Sequence, residues 1–205
     1  MLVNNTERII VYTRYPEAGL AKTRLIPALG EAGAANLQKL MTEETVKTVQ
    51  KAKIEFEIHF TGCSFNTIQV WLGNQLKYNV QEGKTLGERI SNSFKGAFSE
   101  GIKKVLIIGT DCPGITTHHI KKAFNSLQNS DLVLGPARDG GYYLIGLNSF
   151  QPELFNNIKW GSSLVYQQTM ATARKLHLKS STLEELVDID RPEDLSAWCR
   201  GVHKI

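Results

Sequence analysis

The chain has 205 residues, 41% of them hydrophobic and 21% charged, which is ordinary globular composition and enough for one well-buried core. Its formal net charge of +4 comes from a modest Lys/Arg excess without a basic block. Charge therefore makes no case for nucleic acid, while small anionic ligands remain sensible partners.

Arg8–Tyr12 is a β-branched run that reads as a buried parallel strand. It delivers the loop Tyr12–Leu25, which is punctuated by Pro16 and Gly19 and carries Arg14, Lys22 and Arg24. In open α/β sheets ligands bind outside the carboxyl ends of the strands, so this loop has the position and the charge to hold a polyphosphate. Arg14 and Arg24 supply forked contacts, Lys22 a point charge with Thr23 beside it, and Gly19 a sharp turn or close approach. A solvated basic surface loop is the plain alternative. The spacing G-x-x-x-x-G-K-[ST] is absent and no G-x-G-x-x-G follows the strand, which disfavours a P-loop kinase and a common dinucleotide-binding domain.

The next elements follow from periodicity. Gly30–Ala52 carries Leu37, Leu40, Met41, Thr45, Val46 and Val49 at three- and four-residue spacing and predicts a long amphipathic crossover helix. Ile54–Thr61 alternates as a second strand, Asn66–Gln75 suits a short helix, and Tyr78–Gln81 is a third strand, a βαβ series. Thr85–Phe98 places Leu86, Ile90, Phe94 and Phe98 on one helical face ahead of the strongest strand, Lys104–Gly109. A helix restarts over Thr116–Leu127. Strands are predicted at Asp131–Gly135 and Tyr142–Leu147, then a helix over Ser162–Leu176 and, with Pro192 marking its start, a last one over Glu193–Cys199.

Acidic residues complement the basic loop. Asp111 follows a fully apolar strand, where a carboxylate is costly unless it faces the crevice and binds a cation or donors. Mg²⁺ is commonly held by one or two carboxylates together with substrate phosphates, which would set Asp111 opposite Lys22 across a nucleotide. Capping near Pro113 is the alternative. Asp190 precedes Pro192 and could cap the last helix, while Asp188 and Asp190 share one side of an extended segment and could share a ligand. Arg138–Tyr142 reads as a hairpin turn, yet Asp139, Gly140, Gly141 and Tyr142 also allow close approach to a sugar or acceptor. His59, His118 and His119 read as surface or capping residues, and Cys112 as a packing residue with no base placed to activate it. Trp160 serves either the core or the wall of an acceptor pocket.

Cys63, Cys112 and Cys199 are odd in number, far apart and free of C-x-x-C spacing, which argues against a disulfide framework and a structural zinc site and suits a reducing cytoplasm. The start Met1–Arg8 lacks a basic region leading into an apolar core, and no later run approaches membrane-spanning length. A soluble, unprocessed, cytoplasmic protein with one domain over residues 1–205 is expected.

Taken in order, Arg14-x-Pro16-x-x-Gly19-x-x-Lys22-Thr-Arg24-Leu25, Gly87-Glu-Arg89, Gly109-Thr-Asp111-Cys-Pro113, Asp139–Leu147 and Asp188–Leu195 resemble the radical-SAM/selenodomain-associated transferase family of the GT-A, or nucleotide-diphospho-sugar transferase, superfamily. The resemblance spans nearly the whole chain. More distantly, the basic loop is similar to that of phospholactate guanylyltransferase and to the molybdenum-cofactor nucleotidyltransferases. The resemblance implies a three-layer α/β/α sandwich with a mixed, mostly parallel sheet. It also implies a nucleotide over the first strand and its loop, and a divalent cation, Mg²⁺ or Mn²⁺, on Asp111 with Asp190 and Asp188 near it. The chain departs from the Leu-x-Gly-Gly-x-Gly-x-Arg-Met loop of the better-understood members, so neither base nor donor follows.

The resulting expectation is a metal-dependent transferase in which Lys22, Arg24 and Asp111 are catalytic and Arg14, Gly19 and Thr23 complete the nucleotide side. The acceptor, a small molecule, would meet Asp139, Gly140, Gly141, Tyr142 and Trp160. Nucleotidyl transfer is slightly favoured by the strongly basic loop, with glycosyl transfer from a nucleotide sugar as the alternative and a non-catalytic nucleotide-binding regulatory module as the alternative of another class. Neither nucleic acid nor membrane is an expected partner, and a homodimer is admissible.

Overall fold

In a computed structural model, described here for residues 6–202 with side chains to residue 198, one seven-stranded sheet runs through the molecule in the order β3-β2-β1-β4-β6-β5-β7. The strands are β1 (Glu7–Arg14), β2 (Phe56–Thr61), β3 (Lys77–Val80), β4 (Lys104–Gly109), β5 (Leu132–Pro136), β6 (Tyr142–Leu147) and β7 (Ser180–Thr182). β1, β2, β3 and β4 are mutually parallel, β5 and β7 pair parallel, and β6 runs antiparallel to both of its neighbours. The sheet is thus mixed and mostly parallel, as expected. The expectations resting on Met1–Asn5 and on the Cys199 side chain lie outside the described residues.

Helices cover both faces. On one, α1 (Ile26–Ala52), α2 (Phe65–Leu72) and α4 (Thr117–Ser126) pack on Ile9, Val11, Ile58, Phe60, Leu106 and Ile108. On the other, α3 (Leu86–Ser99) and α5 (Val165–Lys175) pack on Ile10, Ile107, Leu134, Ile145 and Leu147. Successive side chains of a strand point to opposite faces, so the central strands need apolar residues at almost every position, which is why they read as continuous runs. A third, smaller cluster joins Leu25, Ala34, Leu37, Met41 and Ile189, fastening the basic loop and the late acidic segment to α1. α6 (Leu195–Val202) closes the described chain after a 3-10 turn, Pro192–Asp194.

Several expectations are corrected. α1 begins at Ile26, with Pro27 in its first turn and a break in helical geometry at Gly30, and Leu40 is 39% exposed rather than on the buried stripe. The alternation of Ile54–Thr61 predicts one wet face, yet Glu57 and His59 are buried, because α3 covers that face and supplies Ser93 to His59, while Arg8, Lys77 and His59 itself answer Glu57. His59 is therefore neither a surface nor a capping residue. β7 and its pairing with β5 escaped the sequence reading because three residues, Ser180–Thr182, carry no apolar pattern.

Candidate active site

From β1 the chain goes outward to β2 and β3, then returns to place β4 on the other side of β1. The crevice between β1 and β4 is the topological switch point of the sheet, where ligands of open α/β folds bind. A cavity of about 620 Å³ opens there, lined by residues that include Arg14, Lys22, Thr23, Arg24, Asp111, Asp139, Gly141, Tyr142, Trp160, Asp188 and Asp190.

Lys22 occupies the centre of the basic side. Its backbone is left-handed (φ 48°, ψ 45°), a conformation that costs a non-glycine residue about 1–3 kcal/mol and persists only where the surroundings enforce it. A 3-10 turn, Thr23–Leu25, follows and sinks Leu25 into the third cluster. The Lys22 side chain is only 4% exposed; its Nζ lies 2.9 Å from Asp111 Oδ1 and donates to the Ile189 carbonyl at 2.6 Å. Asp111 is 55% exposed, so the pair has a covered cation and an open carboxylate. The sequence expectation set these two charges on opposite sides of a nucleotide; they are in direct contact across the switch point. Ile189 is stitched to both partners, since its N–H donates to the Asp111 carbonyl at 2.9 Å.

The other predicted residues fall into two groups. Arg14 is exposed, with no side-chain hydrogen bond or ion pair among the described residues, and is available to a ligand. Gly19 has φ +80°, the turn geometry that glycine tolerates, and lies off the cavity wall. Arg24 pairs with Asp190, so Asp190 is not the cap of the last helix; that role falls to Asp194, whose Oδ2 accepts from the N–H groups of Asp190 and Arg191. Gly140 corrects a second expectation. A Cβ there would lie 2.2 Å from the Ser163 carbonyl oxygen, so the glycine makes room for the chain's own backbone rather than for a ligand.

Asp188 is buried and its Oδ1 accepts from the Asp139 N–H at 3.2 Å. Burial, and after it the Asp139 charge, hold the Asp188 carboxyl above its ordinary value. Burial chiefly, with Asp111 and Asp188 adding to it, pushes the Cys112 thiol well up, which keeps it an inert packing residue. His119 caps its own helix by accepting from the Thr116 N–H. Trp160 is half-buried, meets Tyr142 edge-on with ring centroids 6.3 Å apart, and lines the cavity.

Among the described residues no group of three or more His, Cys, Asp or Glu is arranged to hold a metal ion, so a cage made by protein alone is not present. The donor set does fit a cation that takes one or two carboxylates and completes its shell with phosphate oxygens and water. Asp111, with one oxygen on Lys22 and half its surface open, and the buried Asp188 with its raised carboxyl are the residues that suit it. Asp190, with one oxygen on Arg24, lines the same cavity.

Sequence reasoning missed a polar layer beneath the loop. Gln38 of α1 donates through Nε2 to Thr42 and Thr110, each at 3.2 Å, and Thr42 meets Thr13 at 3.1 Å, which ties the ends of β1 and β4 to one helix. Gln81, just past β3, donates through Nε2 to the carbonyls of Thr13 and His59. Carbonyls only accept, so the amide orientation is fixed, and the remaining Oε1 has no partner among the described residues of a side chain that lines the cavity. The one available signal was a polar residue inside an otherwise apolar helical stripe, at Gln38.

The relatives and the solved structure that follow mark a nucleotidyltransferase-like enzyme on the nucleotide-diphospho-sugar transferase, GT-A-like, fold, and the sheet order with its switch-point crevice agrees with them. The chain belongs to the family described as "Uncharacterized protein conserved in bacteria (DUF2064)", which it matches over residues 45–162. It is 33% identical over 178 residues to 2-phospho-L-lactate guanylyltransferase of Methanocaldococcus jannaschii, a match covering 85% of this chain and 75% of that one. The same-named protein of Methanocaldococcus vulcanius is 32% identical over 119 residues, 55% of this chain and about half, 52%, of the relative. Among solved structures, a proposed nucleotide-diphospho-sugar transferase from Desulfovibrio desulfuricans G20 superimposes with a TM-score of 0.93 at 33% identity, covering 98% of this chain and 89% of the other. Among the described residues no helix is long and apolar enough to cross a membrane.

Proposed function

We propose that the protein transfers a nucleotidyl group from a nucleoside triphosphate to a small-molecule acceptor, with a divalent cation, Mg²⁺ or Mn²⁺, at Asp111. The observation that carries this reading is the covered Lys22 ammonium in contact with the open Asp111 carboxylate at the switch point. Lys22 and Arg24 line the wall where the phosphates would lie, and the exposed Arg14 adds a forked donor. Preorganised cations of this kind stabilise charge that develops on a phosphoryl group and its leaving group, and positioning supplies most of the remaining rate. Asp111 would hold the cation, which would neutralise phosphate charge.

Lys22, held by its hydrogen bond to the Ile189 carbonyl, is placed to meet the phosphates. The acceptor oxygen attacks the α-phosphorus and pyrophosphate departs. Gln81 Oε1, held over the ends of β1 and β2 by the Nε2 bonds to the Thr13 and His59 carbonyls, is an acceptor for an amino or imino group of the base. Asp139, Gly141, Tyr142 and Trp160 form the acceptor side. The guanylyltransferase relatives support nucleotidyl chemistry, and the free, buried Cys112 thiol suits a reducing, cytoplasmic setting.

A second reading, glycosyl transfer from a nucleotide sugar, is favoured by the description of the Desulfovibrio structure. The leaving groups separate the two readings. With each nucleoside triphosphate and Mg²⁺, phosphorus NMR should find pyrophosphate; release of a nucleoside diphosphate from a nucleotide sugar, with triphosphates inert, would reverse the assignment. Tight nucleotide binding without any product, whatever acceptor is offered, would instead mark a regulatory module.

A further inference from the structure

The two halves of the cavity differ in chemistry. Among the described residues its only cations are Arg14, Lys22 and Arg24, all from β1 and the loop after it. The half that faces α3, β6 and α5 is walled by Ile90, Ile107, Ile145, Tyr142, Trp160 and Val165. Four carboxylates, Asp111, Asp139, Asp188 and Asp190, stand on the cavity wall, the last of them paired with Arg24, and no lysine or arginine accompanies them from the α3, β6 or α5 side.

Protein interiors are normally close-packed, so an open chamber with isoleucine and aromatic walls beside a reaction centre is a shape kept for a ligand. Its wall is fixed in place: a Cβ on Gly87 of α3 would lie 2.5 Å from Trp160 Nε1, so the missing side chain is what lets the indole lie against the helix. The Trp160 ring, so placed, lines this half of the cavity beside Tyr142.

We infer that the acceptor is an uncharged, hydroxyl-bearing molecule with an apolar or aromatic body, and not a phosphorylated or carboxylic small acid. This rests on the nucleotidyltransferase reading and adds the acceptor class to it. The acceptor hydroxyl oxygen forms the new bond to the α-phosphorus, the bond from that phosphorus to the bridging oxygen breaks, pyrophosphate leaves with the electron pair, and the hydroxyl proton passes to water. An acidic acceptor would meet carboxylates and the nucleotide's own phosphates with no cation left to receive it. One like-charge contact at about 6 Å and an effective dielectric of about 20 weakens binding roughly a hundredfold.

The test uses the full-length protein loaded with a non-hydrolysable nucleoside triphosphate and Mg²⁺, loading being verified first by thermal shift. 4-Phenyl-1-butanol and 2-phospho-L-lactate are then titrated separately, with isothermal titration calorimetry as the readout. The alcohol should bind at least tenfold more tightly than the phosphoacid, and Trp160→Ala should weaken the alcohol at least tenfold. Leu86→Arg, at a position on the cavity wall already 43% exposed, adds a cation without burying it and should strengthen phospholactate binding at least tenfold. Phospholactate binding to the wild type as tightly as the alcohol, or a nucleotide-loaded protein indifferent to the alcohol, overturns the inference alone. Failure of the nucleotide to load overturns the parent reading and this one with it.

Discussion

Two clusters of charge lie in this sheet, one at the carboxyl ends of β1 and β4, the other along β1, β2 and β3 beneath α3, and they differ in how their charges are satisfied. In the second, Arg8 meets Glu100 at 2.6 Å and Glu57 at 3.9 Å, Lys77 lies 3.1 Å from Glu57, and His59 bridges Glu57 at 2.9 Å to Ser93 at 2.8 Å. Ser93 in turn meets the Tyr12 hydroxyl at 2.6 Å. Nearly every charge is answered inside the protein, although Arg8 Nε has no hydrogen-bond partner and the Glu57–Lys77 contact is ionic rather than a well-formed hydrogen bond. The first cluster is left open: Lys22 is held in a left-handed backbone, Asp111 faces the cavity, Arg14 is unpaired among the described residues, and Asp139 crowds Asp188. A closed network stabilises the fold, while an open one holds charge in reserve for a ligand.

That contrast is sharpest under mutation. Glu57→Ala leaves the buried His59 Nε2 without its carboxylate and takes one of the three acidic partners of Arg8, and should cost about 1–3 kcal/mol in urea unfolding, with turnover per folded molecule unchanged. Lys22→Ala should do the reverse, lowering turnover about 10²–10³-fold with the unfolding midpoint nearly constant. A large stability loss at Lys22, or an activity loss at Glu57 without destabilisation, would break the division. Gly140→Ala should cost at least about 2 kcal/mol, because the new methyl meets the Ser163 backbone at a positive φ, and the urea midpoint reads it directly.

Acid separates the clusters more gently. Burial alone would raise the Glu57 carboxyl, but His59 and then Lys77 outweigh it and hold it below its ordinary value; the Arg8 hydrogen bond does the same for Glu100. Their stabilisation is fully present above the unfolded value of about 4.3 and is lost as pH falls through the lower folded values. Unfolding midpoints measured between pH 6 and 3 should therefore drop below about pH 4.3, with a shallower slope in Glu57→Gln. Asp188 has the opposite sign, being held above its ordinary value. Asp188→Asn should stabilise the ligand-free protein by roughly 1 kcal/mol, a gain seen as a higher melting temperature, because a crowded buried charge disappears while its acceptor oxygen remains. A fall in melting temperature would contradict the crowding.

The same difference governs what could be read from the sequence. The core strands, the crossover helix and the basic loop were legible because apolar runs, helical spacing and a Pro- and Gly-shaped loop are local signals. Lys22, Arg24 and Asp111 were legible as candidates for one crevice, since charges placed after apolar strands demand an explanation, and the structure brings them to one cavity. Their pairing was not: Arg24 with Asp190 and Lys22 with Ile189 join residues more than 160 positions apart. Glu57 and His59 were misjudged because alternation reports polarity, and only the helix packed above reveals that polar residues are buried. Gly140 was misread because a close approach leaves the same mark whether the neighbour is a ligand or Ser163.

The central claim is that a nucleoside triphosphate is held over the Lys22–Asp111 pair with a divalent cation. Isothermal titration of the wild type, Lys22→Ala and Asp111→Asn with each nucleoside triphosphate, with and without Mg²⁺, tests it most directly. The account predicts Mg²⁺-dependent binding to the wild type and at least about tenfold weaker binding to both variants, a loss of about 1.4 kcal/mol or more in each. Binding of equal strength in all three proteins, or binding indifferent to Mg²⁺, would contradict it.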